Sequence, residues 1–195
     1  MSSEVLVLDR AVEVHQRLLA AGIDNAIGGA LALGYHTDDP RATRDIDINV
    51  SLPASRAREV LAALPSGVPW DDETVQLIER DEQVRIMWPV PGSVAIPLDL
   101  FFAADELHDV VRRRAVEVPM RGATVRILSS TDLAIFKALF ARSKDWPDIE
   151  AMVEAHDSRV DLDDAARRVA EIVGADDPRV GRLRDLGKSD GRHGR

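Results

Sequence analysis

The chain has 195 residues, 45% apolar and 30% charged, with a net charge of −9 and no cysteine. This is enough for one domain with a small appendage. It excludes disulfides and thiolate metal sites and makes a reducing cytoplasm the expected setting. No apolar run approaches the ~20 residues of a membrane span, so no membrane partner is expected. The opening MSSEVLVLDR lacks the basic, apolar, small-residue order of a signal peptide. Charge is uneven: residues 1–100 carry 8 basic and 16 acidic side chains, and residues 101–195 carry 17 and 18. Arg179 to Arg195 holds six basic groups against two acidic ones. A nucleic-acid partner would therefore have to use local basic clusters.

Val5 to Ala21 carries apolar residues at helical spacing and ends at Gly22, as a helix C-terminus should. Ile23 to Ile27 is a short strand candidate, broken by Gly28-Gly29, and Ala30 to Tyr35 fits one or two helical turns. A polar loop over His36 to Arg44 leads into Asp45-Ile-Asp-Ile-Asn-Val50, where Ile46, Ile48 and Val50 alternate at a period of two. Pro53 to Leu64 reads as a helix. Thr74–Glu79, Gln83–Val90 and Val94–Phe102 read as strands, the last two joined by the turn Val90-Pro-Gly-Ser93.

Glu106 to Ala115 is expected to be a helix bearing Arg112, Arg113 and Arg114, most simply a solvated face. Val116–Pro119 and Thr124–Leu128 pair as a hairpin. Ser129-Ser-Thr-Asp132 resembles a capping box opening a helix to about Arg142. Pro147 separates this from a helix running to about Ala155, and Leu162 to Val173 is a final amphipathic helix. Strands interleave with helices early and helices dominate late. The expected class is α/β (α+β), a mixed sheet flanked by helices with a small C-terminal helical part. The expected divisions are a core over 1–128, a helical part over 129–178 and a basic tail over 179–195 that frays.

Two aspartates on one face of a strand are costly, because aspartate is a poor strand former and like charges repel. A second acidic strand lies downstream, Ile96-Pro-Leu-Asp-Leu-Phe101. If it pairs beside the first, Asp45, Asp47 and Asp99 converge. Three such carboxylates become favourable around Mg²⁺, which takes hard oxygen ligands together with substrate phosphates. Two such ions can stabilise the attacking and leaving oxygens of an in-line phosphoryl displacement. Gly28 and Gly29, leading from a strand into a helix, would let backbone N–H groups approach a phosphate.

Ile27-Gly28-Gly29, then Asp45-Ile46-Asp47-Ile48, then Asp99 resembles the nucleotidyltransferase superfamily of DNA polymerase beta. The gap of 15 residues between Gly29 and Asp45 is slightly long, and the Asp38-Asp-Pro-Arg41 loop absorbs the excess. Within that superfamily, GGALALGYH…RATRDIDINV followed by LAIFKALFARSKDWPDIEAM resembles the AbiEii-type enzymes of abortive-infection and toxin–antitoxin systems, over roughly residues 25–155. The residues that match are Arg41, Thr43, Asp45 and Asp47, then Lys137, Arg142, Lys144, Asp145 and Asp148.

The resemblance implies a polymerase-beta-like nucleotidyltransferase fold and transfer of NMP from an NTP substrate to an acceptor hydroxyl. Asp45, Asp47 and Asp99 would hold two Mg²⁺ ions, with Mn²⁺ as an alternative, and Asp99 would act as general base. Gly28 and Gly29 would cradle the triphosphate, and Arg41 and Thr43 would contact phosphate, Thr43 being phosphorylated in some relatives. Lys137 would act at the nucleotide phosphates, with Asp148 beside it. The implied acceptor is RNA, such as a tRNA 3′ end, and the implied protein partner is a cognate antitoxin. Two rivals stand beside this reading. One is a small-molecule nucleotidyltransferase of the aminoglycoside or lincosamide type, whose cationic acceptor suits an acidic surface. The other is an inactive nucleotide-binding member.

Overall fold

A computed structural model of the chain describes residues 3–37, 42–103, 113–155 and 159–190. Its contacts divide into two units: Met1–Ala32 with Arg41–Leu128, and Leu33–Pro40 with Ser129–Arg195.

The first unit is built on a six-stranded sheet: β1 (Asn25–Ile27), β2 (Ile46–Pro53), β3 (Gln83–Trp88), β4 (Ile96–Ala103), β5 (Val116–Met120) and β6 (Ala123–Ile127), in the order β3-β4-β2-β1-β6-β5. The sheet is mixed. β1 runs parallel to β6 and antiparallel to β2; β2 is parallel to β4; β3–β4 and β5–β6 are antiparallel hairpins. Helix α1 (Ser3–Ala20) buries Val7, Ala11, Val14 and Leu18, a single stripe at helical spacing, and packs against β1, β2 and β6. Helix α2 (Gly29–His36) begins in this unit directly after β1. A short 3-10 turn at Ala54–Arg56 leads into α3 (Ala57–Ala63), and α4 (Asp72–Asp81) packs against β3.

Ile46 and Ile48 of β2 and Leu98 and Leu100 of β4 are fully buried, and each such side chain contributes roughly 1.5–3 kcal/mol. This pins the register of the two acidic strands, since a one-residue slip would turn every apolar side chain outward. Below the sheet rows, His15 of α1 is buried. Its Nε2 accepts the Arg126 N–H at 3.2 Å, so its Nδ1–H donates to Asn25 Oδ1 at 2.7 Å.

One expected strand is a helix. Thr74–Glu79 lies inside α4, because Asp71 and Thr74 close a reciprocal capping box and Val75 and Ile78 fall on one buried helical face. The helix expected over Glu106–Ala115 lies largely outside the described residues; Arg113 and Arg114 are described and helical.

The second unit is helical: α5 (Ser130–Phe140), α6 (Asp145–Glu154), α7 (Leu162–Val173) and α8 (Pro178–Asp190). α5 packs against the other three, and α7 packs against α8. Ser129 caps α5, accepting the Asp132 N–H at 3.1 Å. The tail expected to fray over 179–195 is instead mostly α8. Val180 and Leu183 are fully buried, Arg179 donates to the Leu139 carbonyl at 2.9 Å, and Arg182 lies 4.2 Å over the Trp146 ring. Two buried apolar residues one turn apart offset the helix-weakening glycines Gly181 and Gly187.

With a mixed sheet flanked by helices and a helical C-terminal part, the observed class is the one expected from the sequence.

Candidate active site

Across the sheet, four neighbouring strands bring one row of residues together. On β2, Asp45 (at the strand's approach), Asp47 and Asn49 share the face opposite Ile46, Ile48 and Val50. The parallel β2–β4 register sets Asp47 directly beside Asp99, and the antiparallel β3–β4 register sets Asp99 beside Arg85. Neighbouring strands lie about 4.8 Å apart, so these side chains are within contact range by construction.

At the other end of the row, the Gly28 N–H donates to the Asp47 carbonyl at 2.8 Å. Gly29, the first residue of α2, has φ +55°, and a Cβ there would stand 1.8 Å from Asp47 Oδ2. Only glycine tolerates both the left-handed backbone and that approach. A Cβ on Gly28 would stand 2.7 Å from Asn49 Nδ2. The Gly-Gly pair is therefore a close-packing requirement against the acidic strand as well as a turn. It sets the start of α2, the positive end of its dipole, against the carboxylate of Asp47.

Thr43 bonds locally: its Oγ1 accepts the Asp45 N–H at 3.2 Å and donates to the Asp45 carbonyl at 3.3 Å. This fixes the backbone of the first aspartate. Arg41 lies outside the described residues.

Arg85 was not among the residues singled out from the sequence. Its guanidinium grips both oxygens of Asp99, Nε at 2.8 Å and Nη2 at 2.7 Å, and stands 3.6 Å from Asp45. These hydrogen bonds hold Arg85 even more firmly protonated than an ordinary arginine. The hairpin turn alone did not reveal it: reflecting β3 onto β4 about the Val90–Ser93 turn sets Arg85 opposite Leu98, and the observed register, shifted by one residue and centred on Gly92, brings it to Asp99. Asp99 is buried, whereas the Asp45 and Arg85 side chains are 40% and 55% exposed.

The donor set suits a hard divalent cation, since carboxylate oxygens on adjacent strands are the ligands Mg²⁺ prefers. In the observed rotamers, no group of three or more His, Asp or Glu side chains among the described residues converges to hold a metal ion. Both oxygens of Asp99 are turned to Arg85 instead.

Lys137, Asp145 and Asp148 form a separate cluster within the helical unit. Lys137 Nζ donates to Asp148 at 2.5 Å and to Asp145 at 3.5 Å, and all three residues are buried. Asp145 also accepts the Arg142 backbone N–H and its Nε–H, each at 2.9 Å. Burial alone would raise the Asp145 carboxyl, but the hydrogen bonds from Arg142 and the charge of Lys137 outweigh it, and its pKa is lowered. Lys137 is the counter-charge of two buried carboxylates, an arrangement costly to break.

No family model matches the chain, and no curated protein matches it. Among solved structures it resembles proteins described as nucleotidyltransferase-like or as a putative nucleotidyltransferase, and others. An antigenic nucleotidyltransferase-like protein from Paracoccidioides brasiliensis is 17% identical, with 92% of this chain and 93% of that one covered and a TM-score of 0.47. The antibiotic-resistance factor ANT(2'')-Ia is 17% identical, with 97% and 95% covered and a TM-score of 0.48. The protein JHP933 from Helicobacter pylori is 14% identical, with 98% and 92% covered and a TM-score of 0.49. At such identities and scores the likeness assigns no residue a role.

Proposed function

We propose that the chain is a nucleotidyltransferase that moves a nucleoside monophosphate from an NTP to an acceptor hydroxyl and releases pyrophosphate. The observation that carries this reading is the register Gly28–Asp47–Asp99, which lines up a glycine cradle, a helix start and two facing carboxylates across three strands. Asp45, Asp47 and Asp99 would hold Mg²⁺ or Mn²⁺. Held there, such an ion would supply charge neutralisation at the phosphates for an in-line displacement.

The chain's own residues supply the rest. Gly28 and Gly29 would cradle the triphosphate at the N–H groups opening α2, where the Asp47 carboxylate now stands. Thr43 fixes Asp45 through its backbone. Asp99 takes the proton of the attacking hydroxyl once its oxygens are free of Arg85. Lys137 and Asp148 enter as nucleotide contacts through their motif alone, and their observed pairing supports a structural part for Lys137 as well.

For the acceptor, the combined Arg41–Asp47 and Lys137–Asp148 motifs support the AbiEii-type reading: an RNA 3′ end, in a toxin-like protein opposed by an antitoxin. A small cationic acceptor is the second reading. It is favoured by the acidity of residues 1–100, where 16 acidic face 8 basic groups.

The test incubates the protein with Mg²⁺ and each α-labelled NTP, once with total tRNA and once with aminoglycosides, beside an Asp47→Asn control. Label in tRNA that the variant loses supports the first reading. Label on the aminoglycoside alone supports the second. NTP that binds but stays intact with every acceptor defeats both and returns the chain to nucleotide binding.

A further inference from the structure

The pairing of Arg85 with Asp99 carries a consequence for the acidic row beyond nucleotidyl transfer itself. Arg85 is the cation the row holds among the described residues. Its fork meets both Asp99 oxygens at 2.7–2.8 Å, and its Nη2 reaches Asp45 at 3.6 Å on the strand beyond. It comes from β3, an edge strand of the sheet, and its side chain is 55% exposed. An arginine on an edge strand can serve simply as a charge that discourages strand-to-strand association. That role asks for an arginine pointing into water, not one folded over a buried carboxylate in bidentate geometry.

We propose that Arg85 is a built-in placeholder cation, seated where the divalent ion's charge belongs, and that metal binding displaces it from Asp99. The inference rests on the reading that Asp45, Asp47 and Asp99 form a metal site.

Charge arithmetic favours the exchange. A divalent ion brings one positive charge more than Arg85 does to a row of three carboxylates. Because Arg85 is half exposed, water and salt screen its contact, and its release returns a solvated arginine rather than a stranded buried charge. The contact thus holds the row together in the absence of metal without locking it. One displacement would do two things: turn the Asp99 oxygens toward the ion, and free the carboxylate that takes the proton from the acceptor hydroxyl. Arg85 is in this sense a positioning residue, coupling metal loading to the availability of the base.

The experiment measures Mn²⁺ binding by the loss of the free-ion paramagnetic signal, using the full chain as wild type, Arg85→Gln, Arg85→Lys and Asp47→Asn. Competition predicts that Arg85→Gln binds Mn²⁺ about tenfold more tightly than wild type, the size of one partly screened charge contact. Arg85→Lys, which keeps the charge and loses the fork, should fall between them. Asp47→Asn should lose the ion. A merely structural role for Arg85 moves affinity the other way, because a loosened Asp99 is a poorer ligand.

Equal or weaker binding by Arg85→Gln overturns the placeholder and leaves the metal site standing. Absence of Mn²⁺ binding in wild type and Arg85→Gln alike overturns the metal site and the placeholder with it. Retained binding in Asp47→Asn puts the ion elsewhere and also overturns the placeholder. Circular dichroism of each variant separates these results from loss of fold, and should Arg85→Gln unfold, Arg85→Lys against wild type decides.

Discussion

Two clusters in this chain use the same chemistry and reach opposite states. On the sheet of the first unit, Asp45 and Asp99, with Asp47 beside Asp99 in the strand register, meet the half-exposed Arg85. In the helical unit, Asp145 and Asp148 meet Lys137 with the Lys137 and Asp148 side chains 6% and 5% exposed and Asp145 at 0%. Lys137 is answered by two carboxylates, and Asp145 is satisfied again by Arg142. In the acidic row, Arg85 pairs with Asp99 and Asp45 from a half-exposed position. Burial separates the two: the helical cluster is closed to water, and the acidic row is open to it through Asp45 and Arg85.

The largest effect expected from breaking this contrast is on activity. Asp47→Asn removes a charge from the acidic row and should lower nucleotidyl transfer by about a thousandfold, the equivalent of several kcal/mol of lost charge stabilisation. Asp47 is only partly buried, so circular dichroism should show the fold retained.

Next comes the settled cluster. Lys137→Met leaves two buried carboxylates without their ammonium and should destabilise the protein by about 3–5 kcal/mol in urea unfolding. A loss below about 1 kcal/mol would erase the contrast, because that is the worth of a surface pair.

Gly29→Ala should cost about 1–3 kcal/mol through its positive φ. It should also weaken Mn²⁺ binding, since the new Cβ would collide with Asp47 Oδ2. Gly22→Ala is the control. It has φ +74° with nothing within 4 Å of its Cβ, so it should show the strain alone and keep metal affinity.

The smallest effect concerns His15. Burial first, and the nearby Arg126 charge, lower its pKa below 6.5 despite the bond to Asn25. The unfolded state then binds the proton more readily than the folded one. Stability should be flat above about pH 6.5 and fall below it by at most about 1.4 kcal/mol per pH unit, until the folded pKa is reached. Melting temperatures at pH 7.5, 6.5 and 5.5 check the sign, and His15→Gln should flatten the slope.

Local pattern carried most of what the sequence by itself determined. The period-two alternation around Asp45 and Asp47, the Gly-Gly break, the acidic strand holding Asp99 and the Ser129 cap all stand in the structure where the residues suggested. Each is decided by neighbours within a few positions: side-chain alternation, backbone freedom, or one capping hydroxyl. Tertiary structure decided the rest. Thr74–Glu79 became a helix because Val75 and Ile78 found a buried face and Asp71 closed the cap. Residues 178–190 became α8 because Val180 and Leu183 had partners to bury against. Arg85 met Asp99, and Lys137 met Asp145 and Asp148, through hairpin register and helix packing. Periodicity says which face a residue occupies, but only the pairing of strands and helices says which opposite charge waits there and how much water remains between them.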